Sequence, residues 1–305
     1  MTNKLLIILI FVLVLGGIFF NWDKITNRLA ELLKHQPTVV IPNSNAYYRN
    51  MSFLYIQESE DFIPFSRQDL KNIFYSILNN GYETFTFYCP SEYTNCVNDV
   101  DELTSQPETL THINNFVHPF NNFSDLEVTI STSGEVTVKI TKLYSPDEIN
   151  KINREVNSII ASKTNNDMDL EEKILVIHDH IATIARYDIK RRDEGDSPFK
   201  SSTAYGPLFE GQAICGGFTD AMALFLNRLE IPNYKVASEE HVWNAIYFDG
   251  IWLHIDLTWN NPMDPNNPEL KQLEHKFWMI TTETLFGYET EEHEFNRTIY
   301  RELAN

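Results

Sequence analysis

GQAICGGFTDAMALFLNRLEIP, residues 211–232, changes from a glycine-containing loop to a helical pattern at a single cysteine, Cys215. The apolar side chains after the cysteine recur every three or four residues: Phe218, Met222, Phe225, Leu226 and Leu229. This spacing predicts a buried amphipathic helix, and Pro232 ends the pattern. Cys215 therefore lies at or next to the first turn of a helix, where unpaired N–H groups and the positive end of the helix dipole stabilise a thiolate.

Two interpretations of Cys215 fit this local pattern equally well. A lone cysteine is often an inert core residue. Alternatively, Gly216 and Gly217 leave open space beside a thiol that is activated as a nucleophile. The other two cysteines, Cys89 and Cys96, are close enough in sequence to form a disulfide, although the sequence does not establish one, and no CxxC pair indicates a zinc site.

A second stretch, HVWNAIYFDGIWLHIDLTW at 241–259, predicts a β-hairpin around Asp249 and Gly250, a dipeptide that favours a two-residue turn. In the register set by that turn, His241 and Asp256 are diagonal neighbours on one face of the sheet. Their Cβ atoms are then roughly 7–8 Å apart or somewhat less, so an imidazole and a carboxylate can meet.

The two faces of this hairpin differ in composition. The face opposite His241 carries seven apolar residues among eight and is predicted to be the buried one: Val242, Asn244, Ile246, Phe248, Ile251, Leu253, Ile255 and Leu257. The His241 face carries residues that could form an aromatic wall: Trp243, Tyr247, Trp252 and His254.

Cysteine, histidine and aspartate together provide the groups needed for nucleophilic catalysis. His241 can accept the thiol proton and return it to a leaving amine. Asp256 can hold the ring in one tautomer and stabilise the imidazolium. The alternative is structural, with Asp256 as a cap near a strand end and His241 as a packed surface residue. The register of the hairpin favours the catalytic interpretation.

Three segments carry a resemblance to a known family: AYGPLFEGQAICGGFTDAMALFL (204–226), HVWNAI (241–246) and DGIWLHIDLTWNNP (249–262). In order and spacing they resemble the transglutaminase-like superfamily, part of the papain-like cysteine enzymes. The resemblance covers roughly residues 170–262. It implies an α+β fold in which a helix bearing the cysteine packs on an antiparallel sheet bearing the histidine and the aspartate.

The resemblance also implies a chemistry. Cys215 would be the nucleophile, His241 the base and Asp256 the orienting acid. The enzyme would attack a carboxamide or peptide carbonyl of a protein or peptide and form a thioester. Transfer of the acyl group to an amine gives a crosslink, and transfer to water gives hydrolysis.

Further site residues are candidates on the same basis. The backbone N–H of Cys215, with Gln212 or Tyr205, could hold the oxyanion. Trp243, Trp252 and Gly216 are candidates for the substrate cleft. No cofactor and no metal is expected, since no D-x-D-x-D-G calcium loop occurs and DPNNPE at 264–269 is typical of a turn.

One departure from the family concerns the end of the cysteine helix. The family often has glycine where this chain has Glu230. This difference affects helix termination and not chemistry.

Two alternative functions stay open. A cysteine peptidase or amidase acting on cell-wall peptide would use the same three residues, and a free acid product without an amine adduct would identify it. A catalytically silent binding module could reuse the same fold, although the intact set of three residues argues against it.

The composition restricts the class of partner. The 305 residues include 43% hydrophobic and 13% aromatic residues, enough for a substantial core. The formal net charge of −19 argues against nucleic acid as a partner, because phosphates would be repelled. Such a charge is typical of a soluble, self-repelling surface.

The N-terminus predicts a membrane segment. Residues 5–22, LLIILIFVLVLGGIFFNW, contain no charge and reach the length that spans a bilayer. A cleaved signal peptide is the competing interpretation, but no small-residue cleavage site follows Phe20. Basic residues shortly after the span (Lys24, Arg28 and Lys34) weigh weakly against an exterior domain. The usual layout of an export anchor favours it, so we expect a single-pass membrane protein with its catalytic domain outside.

The rest of the chain divides into three segments. Residues 1–22 are the predicted anchor, and 23–46 form a short helix and a linker. Residues 47–144 contain a helical pattern at 66–81, a strand pattern at 82–89 and a hairpin around Ser133 and Gly134, which predict a small α/β module.

The predicted catalytic domain spans 145–305. It opens with helix-start signals at Ser145 with Glu148 and at Asp169 with Glu172. The second helix carries His178 and His180, which lie two residues apart and point to different sides. We interpret them as packing or surface histidines and not as joint metal ligands.

Overall fold

The first part of the described chain is a helical layer beside a three-stranded antiparallel sheet. The computed structural model describes residues 38–261, 263–264, 267–271 and 273–304. The predicted anchor at 1–22 and most of the helix and linker at 23–46 lie outside these residues. Among the residues that are described, no helix is both long and apolar enough to cross a bilayer.

Capping explains the first helix, α1 (Arg67–Asn79). The Ser66 side chain accepts a hydrogen bond from Asp69 N at 3.2 Å, and Gly81 follows the helix with a left-handed φ of 73°. Two more helices follow, α2 (Cys96–Ser105) and α3 (Pro107–Asn114). The predicted helix at 66–81 is confirmed.

The first sheet contains β1 (Thr84–Tyr88), β2 (Phe123–Ile130) and β3 (Glu135–Lys142), with β3 in the centre. β2 and β3 form the predicted hairpin, in which Gly134 adopts a φ of 82°. Cys89, just after β1, forms a disulfide with Cys96 at the start of α2. The bridge that the sequence left open is therefore present.

The second part contains two long helices, α4 (Pro146–Lys163) and α5 (Leu170–Ile184), and each begins with the predicted capping box. After them come β4 (Arg186–Tyr187), α6 (Ile189–Glu194), a π-turn at Gly206–Glu210 and β5 (Gln212–Ala213), which pairs parallel to β4. The cysteine helix α7 (Cys215–Arg228) follows at once. Its apolar side packs against α4, α5 and the three-stranded sheet that follows it in the chain.

The second sheet has the order β6 (Asn233–Ala237), β7 (Val242–Phe248), β8 (Ile251–Ile255), all antiparallel. The chain continues through the short helix α8 (Leu257–Asn260), strands β9 (Met263–Asp264) and β10 (Asn267–Lys271), helix α9 (Thr282–Gly287) and two 3₁₀ turns at Glu291–His293 and Arg301–Leu303. The fold thus combines helices with antiparallel sheets, as the α+β prediction required.

The predicted hairpin register is confirmed over its strands. Phe248 pairs with Ile251 and Asn244 pairs with Ile255. Asp249 and Gly250 have φ values of 48° and 87°, the left-handed values that the two-residue turn needs. The ladder stops at Ile255 because α8 begins two residues later.

The burial prediction for this hairpin is wrong in part, because both faces are covered. On the face predicted to form an aromatic wall, Trp243 and His254 are completely buried. The C-terminal segment covers them, with Phe295 placing its ring 6.0 Å from Trp243 and 5.6 Å from His254. On the face predicted to be buried, Ile251 at the turn is 52% exposed.

Ile41–Asn305 forms one compact unit that includes both predicted segments, 47–144 and 145–305. A buried ion pair is one connection within it. Asp220 on α7 accepts from Lys235 Nζ at 3.0 Å and from the Tyr144 hydroxyl at 2.6 Å. The boundary between a module and a catalytic domain stays a prediction.

Candidate active site

Cys215 is the first residue of α7, as predicted, and its half-buried thiol is free. The preceding Ile214 is extended, with φ of −100° and ψ of −179°, and its side chain provides no cap. Its N–H donates to the Ser201 carbonyl at 2.9 Å. The loop before the π-turn therefore fixes the point at which the cysteine enters the helix.

The two glycines after the cysteine do not leave open space, contrary to our prediction. A Cβ on Gly217 would lie 2.2 Å from the Ser201 carbonyl oxygen, and one on Gly216 would lie 3.2 Å from that of Ser202. Backbone fills the space beside the helix start. Gly217, and to a lesser degree Gly216, therefore serves close packing of the 201–203 loop on α7, which weakens the assignment of Gly216 to the cleft.

His241 lies immediately before β7 and is 6% exposed. Its N–H donates to Ser238 Oγ at 3.1 Å, and its carbonyl accepts from Ser238 N at 2.9 Å. The ring stacks on the Trp243 indole at an interplanar angle of 18°. Nε2 lies 2.6 Å from Asp256 Oδ2, which leaves Nδ1 as the nitrogen for the Cys215 thiol.

The protonation of His241 follows from these contacts. Burial disfavours the charged ring. The charge of Asp256, the hydrogen bond to Asp256 and the contact with Cys215 outweigh burial, and together they raise the pKa of His241 to about 10. The ring is thus charged near neutral pH, the state that an ion pair with a thiolate requires.

Asp256 uses its two oxygens differently. Oδ1 caps α8, accepting from Thr258 N at 2.8 Å and Trp259 N at 3.2 Å. Oδ2 accepts from His241. Burial alone would raise the pKa of the carboxyl, but the histidines beside it hold that pKa well below its usual range. The structural and catalytic interpretations of Asp256 are therefore compatible.

His293 is a site residue that the sequence did not indicate. It ends a 3₁₀ turn, is 1% exposed, and places Nε2 2.8 Å from the same Asp256 Oδ2. Its distance in sequence from the hairpin hid it, because no local periodicity links residues 256 and 293.

Tyr187 is the second site residue that the sequence analysis missed. It lies in β4 opposite Ala213, close enough to Cys215 for the two side chains to interact electrostatically. Burial and then the charge of Cys215 raise the pKa of Tyr187 to about 12. Its hydroxyl consequently stays protonated near neutral pH.

The two side chains named as oxyanion candidates are placed differently. Gln212 is half-buried in β5, three residues before Cys215. The Tyr205 hydroxyl accepts from Lys151 Nζ on α4 at 2.6 Å, and its ring lies under the Lys151 and Lys200 ammonium groups. Tyr205 is thus engaged by α4, which weakens its assignment as an oxyanion donor.

The two tryptophans named for the cleft also need correction. Trp243 is completely buried and donates to His254 Nδ1 at 2.9 Å. Its indole packs against the ring of His241 and does not line an open cleft. Trp252 pairs with Tyr247 next to the hairpin turn, at the end of the strands remote from His241.

Two groups of described residues bring potential metal ligands within 4.8 Å: His178, Asp179 and His275, and His241, Asp256 and His293. In the first group Asn260 Nδ2 donates to His178 Nε2, and Phe277 N fixes the amide by donating to Asn260 Oδ1. His178 Nδ1 therefore carries the proton and donates to Asp179. In the second group both Nε2 atoms donate to a carboxylate. We interpret both groups as hydrogen-bonded networks, because a metal needs an unprotonated nitrogen.

Comparison with known proteins covers this same part of the chain. Residues 157–257 match the model of the transglutaminase-like superfamily. The matched region contains Cys215, His241 and Asp256, whereas His293 lies beyond it. No curated protein matches the sequence significantly.

Two solved structures are similar to parts of this one. "Crystal structure of a TGase" is 15% identical with a TM-score of 0.34, over 45% of this chain and 44% of that chain. A protein described as a candidate cysteine protease from Cytophaga hutchinsonii is 16% identical with a TM-score of 0.28, over 44% of this chain and 61% of that chain. This chain spans less than two thirds of the length of either structure.

Proposed function

We propose that this chain is a cysteine-dependent enzyme that transfers or hydrolyses an acyl group at a carboxamide or peptide bond of a protein or peptide. One observation carries the proposal. Asp256 holds His241 by Nε2, so Nδ1 is left for the free thiol at the start of α7. The transglutaminase-like match over 157–257 supports the same assignment.

In the proposed reaction Cys215 reacts as the thiolate of an ion pair, with its proton already on His241 Nδ1, and the sulfur bonds to the carbonyl carbon. Asp256 stabilises the resulting imidazolium. The carbonyl oxygen becomes an oxyanion, for which the backbone N–H of Cys215 and the side chain of Gln212 are the candidate donors. Tyr187 adds a protonated hydroxyl that interacts electrostatically with Cys215.

Collapse of the tetrahedral intermediate breaks the C–N bond. The proton on His241 moves to the departing amine, and a thioester remains on Cys215. An incoming amine or water then gives its proton to His241 and attacks the thioester carbon. Cys215 leaves as the thiolate, paired with the imidazolium, and the first state of the site is restored.

The proposed setting is outside the cell, on a single N-terminal membrane anchor. The uncharged stretch at 5–22 supports the anchor. The disulfide between Cys89 and Cys96 supports an oxidising compartment. In this proposal 145–305 is the catalytic domain, 47–144 is an accessory module, and the net charge of −19 disfavours nucleic acid as a partner.

Alkylation of the full chain with iodoacetamide tests the proposal. Cys215 is the free cysteine, since Cys89 and Cys96 are bonded to each other. We expect rapid labelling at neutral pH that falls at least about tenfold in His241→Ala, because the thiolate loses its cationic partner. His180→Ala, a half-buried histidine on α5, is the matched control and should label like the wild type. Equal labelling of both variants would contradict the assignment of His241.

Product analysis separates the two reactions. With a peptide amide substrate and a primary amine, an amine adduct identifies transfer and a free acid identifies hydrolysis. Cys215→Ser should abolish either product, because a hydroxyl is a far weaker nucleophile in this pairing. Undiminished turnover in Cys215→Ser would exclude Cys215 as the nucleophile. A chain that neither labels nor turns over would be a binding module.

A further inference from the structure

His293 and His241 share one carboxylate oxygen. His241 Nε2 is 2.6 Å and His293 Nε2 is 2.8 Å from Asp256 Oδ2. The rings meet edge to face, with centroids 5.3 Å apart. All three side chains are at least nine-tenths buried. Asp256 therefore receives four N–H donors, two from the backbone of α8 and two from imidazoles.

The carboxylate of Asp256 sets which nitrogen of His293 carries a proton. A carboxylate only accepts, so Nε2 of His293 must carry a proton. Its other nitrogen, Nδ1, lies 2.9 Å from Thr290 Oγ1. The threonine hydroxyl can donate to Nδ1, which fits the tautomer whose proton is directed at Asp256.

The ring is also fixed by packing. Phe277 stacks on His293 at 4.8 Å with an interplanar angle of 13°, and Trp243 and Trp259 lie at 5.0 and 5.3 Å. An aromatic slot of this kind accepts phenylalanine without the desolvation cost of an imidazole. The imidazole therefore matters for its N–H, which points at the carboxylate that holds His241.

We propose that His293 is a positioning residue of this site, which acts through Asp256 by limiting how strongly the carboxylate attracts the proton of His241. This inference rests on the proposed function. An N–H donor on Oδ2 spreads the negative charge over two imidazoles. Without it the whole charge would act on His241, and the imidazolium would give its proton to the leaving amine less readily.

Several titratable groups surround the three side chains and belong to the same electrostatic system. Cys215 on α7 faces His241, and Tyr187 on β4 and His178 on α5 interact with Asp256. His254 on β8 interacts with His293. A test must therefore change the donor to Asp256 and leave these groups in place.

Two variants of the full chain isolate the donor. His293→Phe keeps an aromatic ring against Phe277 and removes the N–H. His293→Gln keeps an N–H at the position of Nε2. With ¹⁵N-labelled histidine at neutral pH, we expect the Nε2–H resonance of His241 to move downfield in His293→Phe and to stay near its wild-type position in His293→Gln.

A titration gives the second readout. The midpoint for deprotonation of His241 should rise by about one pH unit in His293→Phe, roughly a tenfold change in proton affinity, and should return toward wild type in His293→Gln. Thr290→Val removes the hydroxyl that holds the His293 ring and should raise the midpoint of His241 by less than His293→Phe does. This variant replaces His293→Phe in the test if His293→Phe does not fold. An unchanged midpoint in the folded variants, or equal shifts in the Phe and Gln variants, would overturn the proposal.

The outcome for His293 can be separated from that for the enzyme. If iodoacetamide labelling does not depend on His241, the proposed function fails, whatever His293 does. If labelling depends on His241, but the Nε2–H resonance and the deprotonation midpoint of His241 do not change when the His293 donor is removed, only the positioning role fails.

Discussion

Asp256 both caps a helix and holds the candidate catalytic histidine. Oδ1 caps α8 and Oδ2 holds two imidazoles, so one carboxylate fixes both the chain direction after β8 and the orientation of His241. Neutral asparagine can keep the cap through its oxygen. Its NH₂ group would then point at the two histidines, where only a carboxylate permits both to donate.

We therefore predict that Asp256→Asn folds but is almost inactive. Each imidazole can accept from the amide by moving its proton to Nδ1, and for His293 that proton then donates to Thr290. For His241 the same change directs an N–H at the Cys215 sulfur, so the ring cannot take the thiol proton. The rate should fall by about 10³ to 10⁴-fold.

Turnover and denaturant unfolding of Asp256→Asn check this prediction together. The matched control is Asp249→Asn at the exposed hairpin turn, where asparagine also accepts the left-handed φ of 48°. The control should match the wild type in both measurements. A rate for Asp256→Asn within tenfold of wild type would reduce Asp256 to a cap.

Single elements were predictable where a few neighbouring residues decide them. The Asp249–Gly250 dipeptide sets the register of the β7–β8 hairpin, and the Ser145 box starts α4, without help from the rest of the chain. The contact between His241 and Asp256 followed from that register. The end of the ladder did not, because it depends on Asp256 capping a helix that begins one residue later.

The C-terminal end of α7 contains a strained residue. Glu230 has a φ of 59°. Its N–H donates to Asn227 O at 3.1 Å, and Ile231 N donates to Leu226 O at 2.9 Å, which together form a Schellman motif. That motif favours glycine at the left-handed position, because a Cβ there costs roughly 1–2 kcal/mol.

Glu230→Gly should accordingly stabilise the chain. The relief of strain is partly offset by the greater freedom of glycine in the unfolded chain, so the free energy of unfolding should rise by roughly 0.5–1 kcal/mol. Urea unfolding measures it. The same substitution inside α4, Glu155→Gly, should lower stability by about 1 kcal/mol, because a helix interior has no need of a left-handed residue. Loss of stability in both variants would show that Glu230 is not strained.

At the scale of the molecule, the candidate site is completed by a C-terminal segment that lies far from the other site residues in sequence. No local sequence pattern links that segment to the site. The segment from Phe277 to Tyr300 covers the second sheet, buries Trp243 and His254, and brings His293 to Asp256. The alternation of residues along the strands predicted one buried face and did not indicate that the other face is covered, because the alternation describes only the hairpin itself. Packing of a distant segment decides burial, and a single sequence carries little information about that packing.

Burial of His254 in this cover makes stability depend on pH. The ring accepts from Trp243 and lies 3.0 Å from Thr282 Oγ1, and burial followed by the nearby His293 lowers its pKa to about 3. The unfolded chain protonates this residue near pH 6.5. Between about pH 6.5 and 3 the unfolded state therefore binds a proton that the folded state does not, and stability falls as pH falls through that range.

We predict that His254→Asn removes this part of the acid dependence. Asparagine can still accept from Trp243 but does not titrate. The smaller side chain leaves a cavity that lowers the stability of His254→Asn by the same amount at every pH. The slope of the unfolding free energy against pH should be smaller in this variant than in the wild type, by about 1.4 kcal/mol per pH unit between about pH 4 and 6. Thr282→Ala is the matched control, since it deletes a contact of His254 and keeps the titrating ring, so its slope should equal that of the wild type. Parallel slopes for His254→Asn and wild type in urea melts would show that His254 does not remain neutral in the folded chain.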